Sequence, residues 1–315
     1  MKFFVKRVFL FLLPIILLAV PFEILLRDIP NDYKNKRDYL DKHSDELAVL
    51  ILGSSHSMAG LNPDHFSKSA FNASYVSQSL DMDFYIYKKY ESQLNNLQYI
   101  ILPISYFSFF ERLETISEYW RIKNYVLYYG LDISSKIRDH SEVIGNKLGF
   151  NARRFFNYYI LHQDPFSCKP NGWRERHWES DLEIEKSGKE RAQIHTVKDT
   201  ACFSENVEFL KSLIESARAK NVHVILYTSP AYKTYVENLE PEQLSRTIDA
   251  ATDIAESYSN VSYYNLLSDP TFVEADYYDA DHLNTVGAKR LSLFMNEKIK
   301  NFPKEDSINK ALNLH

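Results

Sequence analysis

The stretch "VLILGSSHSMAG", from Val49 to Gly60, places two hydroxyls and an imidazole directly after a short apolar run. A continuous run of β-branched and aliphatic residues is typical of a buried strand. Ser54 and Ser55 therefore stand at the carboxyl end of a predicted strand. Two interpretations are open at this point: the serines cap the helix that follows, or one of them is a nucleophile.

A second group, near the carboxyl terminus, could supply the base that a serine nucleophile needs. The sequence "YYDADHLN" carries Asp279 three residues before His282. A histidine can take the serine proton, and a carboxylate on its other ring nitrogen orients it. The spacing predicts that these two residues lie in one turn, whereas Asp281 is expected to be poorly placed to reach the ring. His56 is expected to be structural or at the rim of the site, because its side chain should point away from that of Ser55.

Apolar strands and amphipathic helices alternate along much of the chain. Strands are predicted at residues 47–53, 70–74, 98–105, 222–230 and 261–266. Helices are predicted from near residue 57 and at residues 80–97, 204–221, 241–260 and 284–302. This alternation predicts an α/β three-layer sandwich with a five-stranded, mostly parallel sheet. Strand ends that are far apart in sequence meet at one edge of such a sheet, so Ser55 and His282 are expected in one site.

The first 27 residues are predicted to anchor the chain in a membrane. Three basic residues precede an apolar run from Val8 to Leu26. The positive flank predicts a cytoplasmic amino terminus and an extracytoplasmic remainder. The run has the length of a span only if Glu23 lies at the far interface. No small-residue cleavage site follows, so an uncleaved signal anchor is favoured over a cleaved signal peptide. A buried amphipathic helix is less favoured, since no polar face interrupts the run.

The alternation is interrupted between about residues 107 and 200. Aromatic helical stretches such as "EYWRIKNYVLYYG" are followed by a polar loop, "CKPNGWRERHWESD". Because strands resume afterwards, the segment is predicted to be an insertion in a domain that spans residues 47–300. It could cover the site or meet a membrane partner, or it could be a helical cap with its own core. Residues 28–46 are predicted to be a linker and residues 301–315 a tail.

The composition argues against several classes of function. A net charge of -5 gives no reason to expect a nucleic-acid partner. Only 8 glycines occur in 315 residues, which argues against a glycine-rich loop that cradles phosphate. Cys168 and Cys202 could pair outside the cytoplasm or remain thiols, and neither has the spacing of a zinc ligand set.

The order of these motifs resembles the SGNH (GDSL-like) hydrolase superfamily over roughly residues 45–105 and 203–300. A first strand ends in the turn Gly53-Ser54-Ser55, further strands alternate with helices, and an Asp-x-x-His block precedes a final helix. The resemblance implies that Ser55 is the nucleophile, His282 the base and Asp279 its orienting carboxylate. Ser54 stands where the family usually has aspartate.

The resemblance also indicates where an oxyanion would be stabilised. The family's second block supplies a backbone N–H at a glycine; here Ala73 or Ser74 stands near that place, with the Asn72 side chain as a substitute. The third block supplies an asparagine, whose position is taken here by Ser105. Losing one oxyanion donor costs about two to three orders of magnitude in rate. This third block is the main departure from the family pattern.

A "GSSH" turn behind a membrane anchor, with an Asp-x-x-His-Leu ending, is similar to cell-envelope acyl-modification proteins of the D-alanine-transfer and polysaccharide O-acetylation types. This resemblance implies hydrolysis or transfer of acyl esters on an envelope or exported glycan. The amino-terminal anchor predicts a chain in the cytoplasmic membrane, with the catalytic domain in the periplasm or at the cell surface. The resemblance implies no metal and no organic cofactor. Its partners would be an acylated glycan or acyl donor and a membrane acyltransferase. The alternative is a catalytically inactive scaffold of the same fold that binds a glycan or such an acyltransferase.

Overall fold

The computed structural model describes residues 1–177 and 184–302, and the chain divides into two compact units. The sheet unit contains residues 43–112 and the described residues from Cys168 onward. The helical unit contains residues 1–42 and 113–167. The end of the predicted polar loop, residues 178–181, and most of the predicted tail, residues 303–315, lie outside the described residues.

Five strands form the main sheet: β1 (Val49–Ile51), β2 (Ala70–Asn72), β3 (Tyr99–Pro103), β4 (His223–Thr228) and β5 (Val261–Asn265). Their order is β2-β1-β3-β4-β5, and all neighbouring pairs are parallel. Each strand lies within a predicted segment, so the predicted α/β fold is confirmed. The direction of winding changes between β1 and β3, the point at which open parallel sheets bind ligands. A separate antiparallel pair follows, β6 (Tyr277–Asp279) and β7 (His282–Leu283).

Helices connect the strands and make up the helical unit. In chain order the described α-helices are α1 (Lys2–Asp28), α2 (Asp32–His43), α3 (Ser55–Gly60), α4 (Leu80–Tyr90), α5 (Ile122–Asn124), α6 (Glu142–Gly145), α7 (Leu148–Phe155), α8 (Ile184–His195), α9 (Phe203–Arg218), α10 (Lys233–Val236), α11 (Pro241–Ser257) and α12 (Thr285–Lys300). The five helices predicted from periodicity are present as α3, α4, α9, α11 and α12. Helix α4 ends before the predicted residue 97, because the asparagine-containing residues after it form turns.

Both faces of the sheet are covered, which explains the continuous apolar runs in the sequence. Ile51, Ile101 and Ile225 lie in β1, β3 and β4 and pack on one face, where Leu291 and Met295 of α12 join them in one buried cluster. Helices α4 and α9 pack together on the opposite face. All residues of β3 and β4 are buried. The strands are therefore packed between helices on both faces of the sheet, which fixes the positions of the strand ends.

The helical unit joins the end of α1 to the short helices α6 and α7. Helix α1 is long and apolar enough to cross a membrane. The Glu23 carboxylate in its last turns accepts the backbone N–H groups of Glu142 at 2.9 Å and Val143 at 2.8 Å. The Phe22 ring lies 5.9 Å from that of Phe155, centroid to centroid. These contacts satisfy the first N–H groups of α6, which have no partner within the helix.

The segment predicted as a linker, residues 28–46, contains helix α2. Tyr33, Lys36 and Leu40 are buried along α2. The Tyr33 ring meets the Tyr125 ring edge-on, with centroids 5.2 Å apart. The buried positions of α2 follow one another at spacings of three and four residues, as on one face of a helix. The polar composition of the segment hid this pattern in the sequence.

The segment predicted as an insertion, residues 107–200, is divided between the two units. Residues 113–167 cluster with the amino-terminal helices, whereas residues 168–177 and 184–200 belong to the sheet unit. The second part includes α8, which supplies side chains to the site described below. Helical periodicity alone does not tell which unit a helix packs against, so the sequence did not reveal this division.

A glycine turn at the end of β1 determines where the serines stand. Gly53 has φ +108°, a conformation that residues with a side chain rarely adopt. A Cβ at this position would lie 2.2 Å from Cδ of Pro103, at the end of β3. The Gly53 N–H donates to Oδ1 of Asp83 at 2.7 Å, and the Gly53 carbonyl accepts from the Tyr75 N–H at 3.1 Å. Backbone conformation and hydrogen bonding both define this turn.

We expect Gly53→Ala to lower the free energy of unfolding by about 2–5 kcal/mol, because a left-handed backbone and an overpacked contact each cost about 1–3 kcal/mol. Urea unfolding of the full chain in detergent, followed by circular dichroism, measures this change. Gly60→Ala is the matched control, since its Cβ would meet Leu291 Cδ2 at an ordinary 3.5 Å. Equal stability of Gly53→Ala and the wild type would contradict this account of the turn.

Candidate active site

The turn after β1 gives the two serines different positions. Ser54 is the N-cap residue of α3, and its Oγ accepts the N–H of His56 at 3.4 Å. Ser55 is the first residue of α3, and its Oγ lies 2.8 Å from Nε2 of His282. Ser54 is buried, whereas Ser55 is half-buried and open to a reagent. One serine therefore caps the helix, and its neighbour meets the histidine.

His282 lies between Ser55 and a carboxylate. Asp279 and His282 are cross-strand partners in the β6–β7 pair. Nδ1 of His282 lies 2.9 Å from Oδ1 and 3.1 Å from Oδ2 of Asp279. With the proton on Nδ1 bonded to Asp279, Nε2 presents its lone pair to the Ser55 hydroxyl. The structure thus brings Ser55, His282 and Asp279 into one hydrogen-bonded chain.

A second carboxylate approaches the same ring nitrogen. Oδ1 of Asp281 lies 3.1 Å from Nδ1 of His282, and the Asp281 side chain is completely buried. Arg191 donates to both Asp281 oxygens, at 2.7 and 3.0 Å. The expectation that Asp281 would be poorly placed is wrong, because Asp279 Oδ1 accepts the N–H groups of residues 281 and 282 and folds the chain into a tight turn.

Two more histidines surround the Asp281 carboxylate. Nε2 of His56 lies 3.4 Å from Oδ2 of Asp281, and Nδ1 of His195 lies 3.6 Å from the same oxygen. The other ring nitrogen of His56 lies 2.7 Å from Oγ of Ser105. His56 therefore links Ser105 to the carboxylate cluster, and its ring centroid lies 5.0 Å from that of His282.

The charges around His282 set its protonation. Burial by itself lowers the pKa of His282, but the carboxylates of Asp281 and Asp279 outweigh burial and raise this pKa above 6.5. Burial would raise the pKa of Asp281, yet the adjacent histidines, His282 first, hold this pKa well below the ordinary value. Burial lowers the pKa of His56 and lowers that of His195 to about 3. At neutral pH, Asp281 is therefore ionised while His56 and His195 are neutral.

His56, Asp281 and His282 offer ligand atoms within 4.8 Å of one another, which is close enough for one metal ion. However, Arg191 already places a positive charge on both oxygens of Asp281, and His282 engages Ser55. A cation bound here would lie against the guanidinium group. This donor set therefore suits the positioning of His282 better than the binding of a metal.

The residues expected to stabilise an oxyanion at the end of β2 are bonded elsewhere. The Asn72 amide donates to the carbonyls of Ser57 at 2.9 Å and Leu61 at 2.8 Å, which uses both of its hydrogens. The Ala73 N–H donates to the Ile51 carbonyl at 2.8 Å. Buried amide groups keep such partners. The end of β2 therefore supports the fold around α3 and does not present these donors to a substrate.

Ser74 and Ser105 are engaged in the same way. The Ser74 N–H donates to Oδ1 of Asn72 at 3.1 Å, and the Ser105 N–H donates to Oγ of Ser108 at 2.8 Å. The Ser55 N–H is different, because the first residue of a helix has no intrahelical partner for it. It also has no hydrogen-bond partner within residues 1–177 and 184–302. The Ser55 N–H therefore remains available to an oxyanion.

A cavity of about 490 Å³ lies at the start of α12, close to the end of the β6–β7 pair. Arg176, Asn284, Thr285 and Val286 are among its lining residues. The Arg176 guanidinium lies 3.9 Å from Oδ2 of Asp279, which is too long for a hydrogen bond. Ser55, His282 and Asp279 are not among its lining residues, so Arg176 is the link between this cavity and the site.

Sequence reasoning missed Arg191 and His195. Both lie on α8, with Ala192 buried between them. Their spacing of four residues, within "RAQIH", places them on one face of the helix. Pairs of polar residues four positions apart are common in helices, and no strand end or recognisable motif accompanies this pair. The spacing alone therefore did not identify the two residues as part of the site.

The sequence matches no family model and no curated protein. Solved structures do match this chain, and two of them are described here. One, from Streptococcus pneumonia and provisionally described as a platelet activating factor, is 11% identical with a TM-score of 0.43, and the match covers 92% of this chain and 98% of that chain. The other, a provisionally assigned acylhydrolase from Bacteroides fragilis NCTC 9343, is 10% identical with a TM-score of 0.41, and the match covers 84% and 96%. At these identities and scores, neither structure assigns an activity to this chain.

The raised pKa of His282 predicts the pH dependence of Ser55 reactivity. The base has to be neutral to accept the serine proton, so the rate of labelling by a fluorophosphonate should rise with pH through an inflection above 6.5. Asp281→Asn removes a negative charge beside the ring, so the inflection should move to lower pH by about one to three units.

Asp249→Asn, which removes an exposed acid from α11, is the matched control and should leave the inflection in place. Because Asp281→Asn leaves Arg191 without its buried partner, circular dichroism of this variant checks that it is folded. An unchanged inflection in folded Asp281→Asn would show that its charge does not act on His282.

Proposed function

We propose that this chain is a membrane-anchored serine hydrolase or acyltransferase that acts on acyl esters of a cell-envelope or exported glycan. The observation that carries the proposal is the hydrogen-bonded chain from Ser55 through His282 to Asp279. A hydroxyl on a neutral imidazole, with a carboxylate on the far nitrogen, is the arrangement that activates serine for acyl chemistry.

The reaction begins when Nε2 of His282 takes the Ser55 proton and Oγ attacks the acyl carbonyl carbon. Negative charge develops on the carbonyl oxygen, where the Ser55 N–H can donate to it. The tetrahedral intermediate then expels the alcohol oxygen of the ester, which leaves with the proton from His282. This step leaves the acyl group on Ser55. Attack by water completes hydrolysis, whereas attack by a glycan hydroxyl completes transfer, and His282 deprotonates either acceptor.

The amino-terminal helix supports a location outside the cytoplasm. Lys2, Lys6 and Arg7 precede the apolar part of α1, and positive residues remain on the cytoplasmic side of a membrane. The site would then lie in the periplasm or at the cell surface, where acylated envelope glycans are found. The half-buried Ser55 is accessible to an ester that is presented on a larger molecule.

An inactive scaffold of the same fold is the second candidate, and one observation favours it. The donors of Asn72, Ala73, Ser74 and Ser105 that were expected to face an oxyanion are bonded within the protein. Fewer donors mean weaker stabilisation of the transition state. Such a scaffold would bind a glycan or a membrane acyltransferase without a reactive serine.

We expect a fluorophosphonate probe to label the full chain in detergent once, on Ser55, with intact mass as the measurement. Ser55→Ala should abolish labelling, and His282→Ala should slow it by about a thousandfold or more, because the serine then has no base. Ser54→Ala is the matched control, since this neighbouring hydroxyl only caps α3 and its loss should leave labelling in place.

An unlabelled wild-type chain would overturn the proposal and favour the scaffold. Labelling lost in Ser54→Ala but kept in Ser55→Ala would show that the nucleophile is misassigned. With Ser55 established, incubation with an O-acetylated glycan and detection of free acetate or of a newly acetylated acceptor separates hydrolysis from transfer.

A further inference from the structure

The helical unit exposes large apolar side chains in the segment that follows α5. Between 50% and 76% of the surface of each of these side chains is exposed. We call them the apolar segment: Ile137, Ile144, Leu148, Phe156, Ile160 and Leu161. Soluble proteins rarely expose large apolar groups so close together, and such groups mark a contact with a partner or a membrane. Among the described residues of the sheet unit, the exposed large apolar side chains are fewer: Ile194, Val273, Val286 and Leu293.

This segment is attached to one end of α1. The Ser141 hydroxyl donates to Glu23 at 2.8 Å, and the Tyr159 hydroxyl donates to the Leu25 carbonyl at 3.0 Å. With the Phe22–Phe155 ring contact, these bonds lie within the span of the apolar segment and fall on the last turns of α1. At 1.5 Å per residue, the contacted part of α1 spans only about 9 Å along the helix axis. The segment is therefore held at one level of α1.

That level corresponds to the surface of a membrane crossed by α1. The apolar run from Val8 to Leu26 has 19 residues, close to the roughly 20 that cross the hydrocarbon core, so α1 leaves the core near Leu26. Arg27 and Asp28 then lie among the lipid headgroups, and Glu23 lies about one helical turn further inside. An element held at this level places exposed apolar side chains at the boundary between headgroups and acyl chains.

We propose that the apolar segment inserts into the membrane leaflet at the carboxyl end of α1, as a second and monotopic membrane contact. The proposal rests on the membrane anchoring in the proposed function, and it adds a lipid-binding surface to it. Lipid is favoured over a protein partner because the segment is bonded to the last turns of α1, whose own apolar side chains such as Leu17 and Leu18 are exposed. Two membrane contacts would fix the orientation of the helical unit at the bilayer surface, whereas α1 alone would leave that orientation free.

Quenching of tryptophan by brominated lipid tests this contact. The full chain is reconstituted in nanodiscs that contain lipids brominated on the acyl chains, and the three native tryptophans are corrected for with the wild type. Leu148→Trp and Ile160→Trp probe the apolar segment at exposed positions, where a larger side chain fits. Both added tryptophans should lose about half of their emission, since apolar faces of this kind lie about 5–10 Å inside the headgroup boundary.

Leu17→Trp in α1 and Leu293→Trp in α12 are the controls, as both positions are also exposed. Quenching of Leu17→Trp together with both test variants, while Leu293→Trp keeps its emission, supports the proposal. Quenching of Leu17→Trp alone overturns it but leaves the anchor intact. No quenching of Leu17→Trp overturns the anchor, and the proposal with it. Unquenched test variants in a chain that dimerises by light scattering would assign the segment to a second copy.

Discussion

The left-handed turn at Gly53 is the constraint on which the site depends. It ends β1 against Pro103 and sets the direction in which Ser54 and Ser55 leave the sheet. Asp83 stabilises the turn, because its Oδ1 accepts hydrogen bonds from the Gly53 N–H and from the side-chain amide of Gln78. Burial raises the pKa of Asp83 to about 8, so at neutral pH a mainly uncharged carboxyl makes these bonds. A neutral acid can remain in the core without a cation beside it.

Arg191 balances the charges around His282. Two carboxylates near one imidazole favour its charged form, and a histidine that is always charged cannot act as a base. Arg191 takes both oxygens of Asp281 and so reduces the field that this carboxylate exerts on the ring. The turn of residues 279–282 brings two carboxylates to His282, and α8 supplies the arginine that offsets one of them. Together they set the protonation of the His282 ring. In the Arg191–Asp281 ion pair, the aspartate side chain is fully buried. Charges interact strongly in such surroundings, because little water screens them.

The parts of the fold that follow from burial could be predicted from the sequence. The five strands are continuous apolar runs because both sheet faces are covered, and Ser55 and His282 could be placed together because each follows a strand. The turn geometry could not be predicted, and it decides which donors remain for an oxyanion and how Asp281 reaches the ring. The contribution of α8 was also hidden, since Arg191 meets the site through tertiary packing and not through local pattern.

Both units are discontinuous in the chain, and this has a consequence for folding during synthesis. The amino-terminal helices are made first, but α6 and α7, which hold α1, follow only after β3. The sheet in turn waits for β4 and β5, although closing the long intervening loop costs little extra entropy. Because chains emerge from the ribosome amino terminus first, Ser55 meets a base 227 residues later in the sequence. The serine therefore has no catalytic partner until nearly the whole chain has been made.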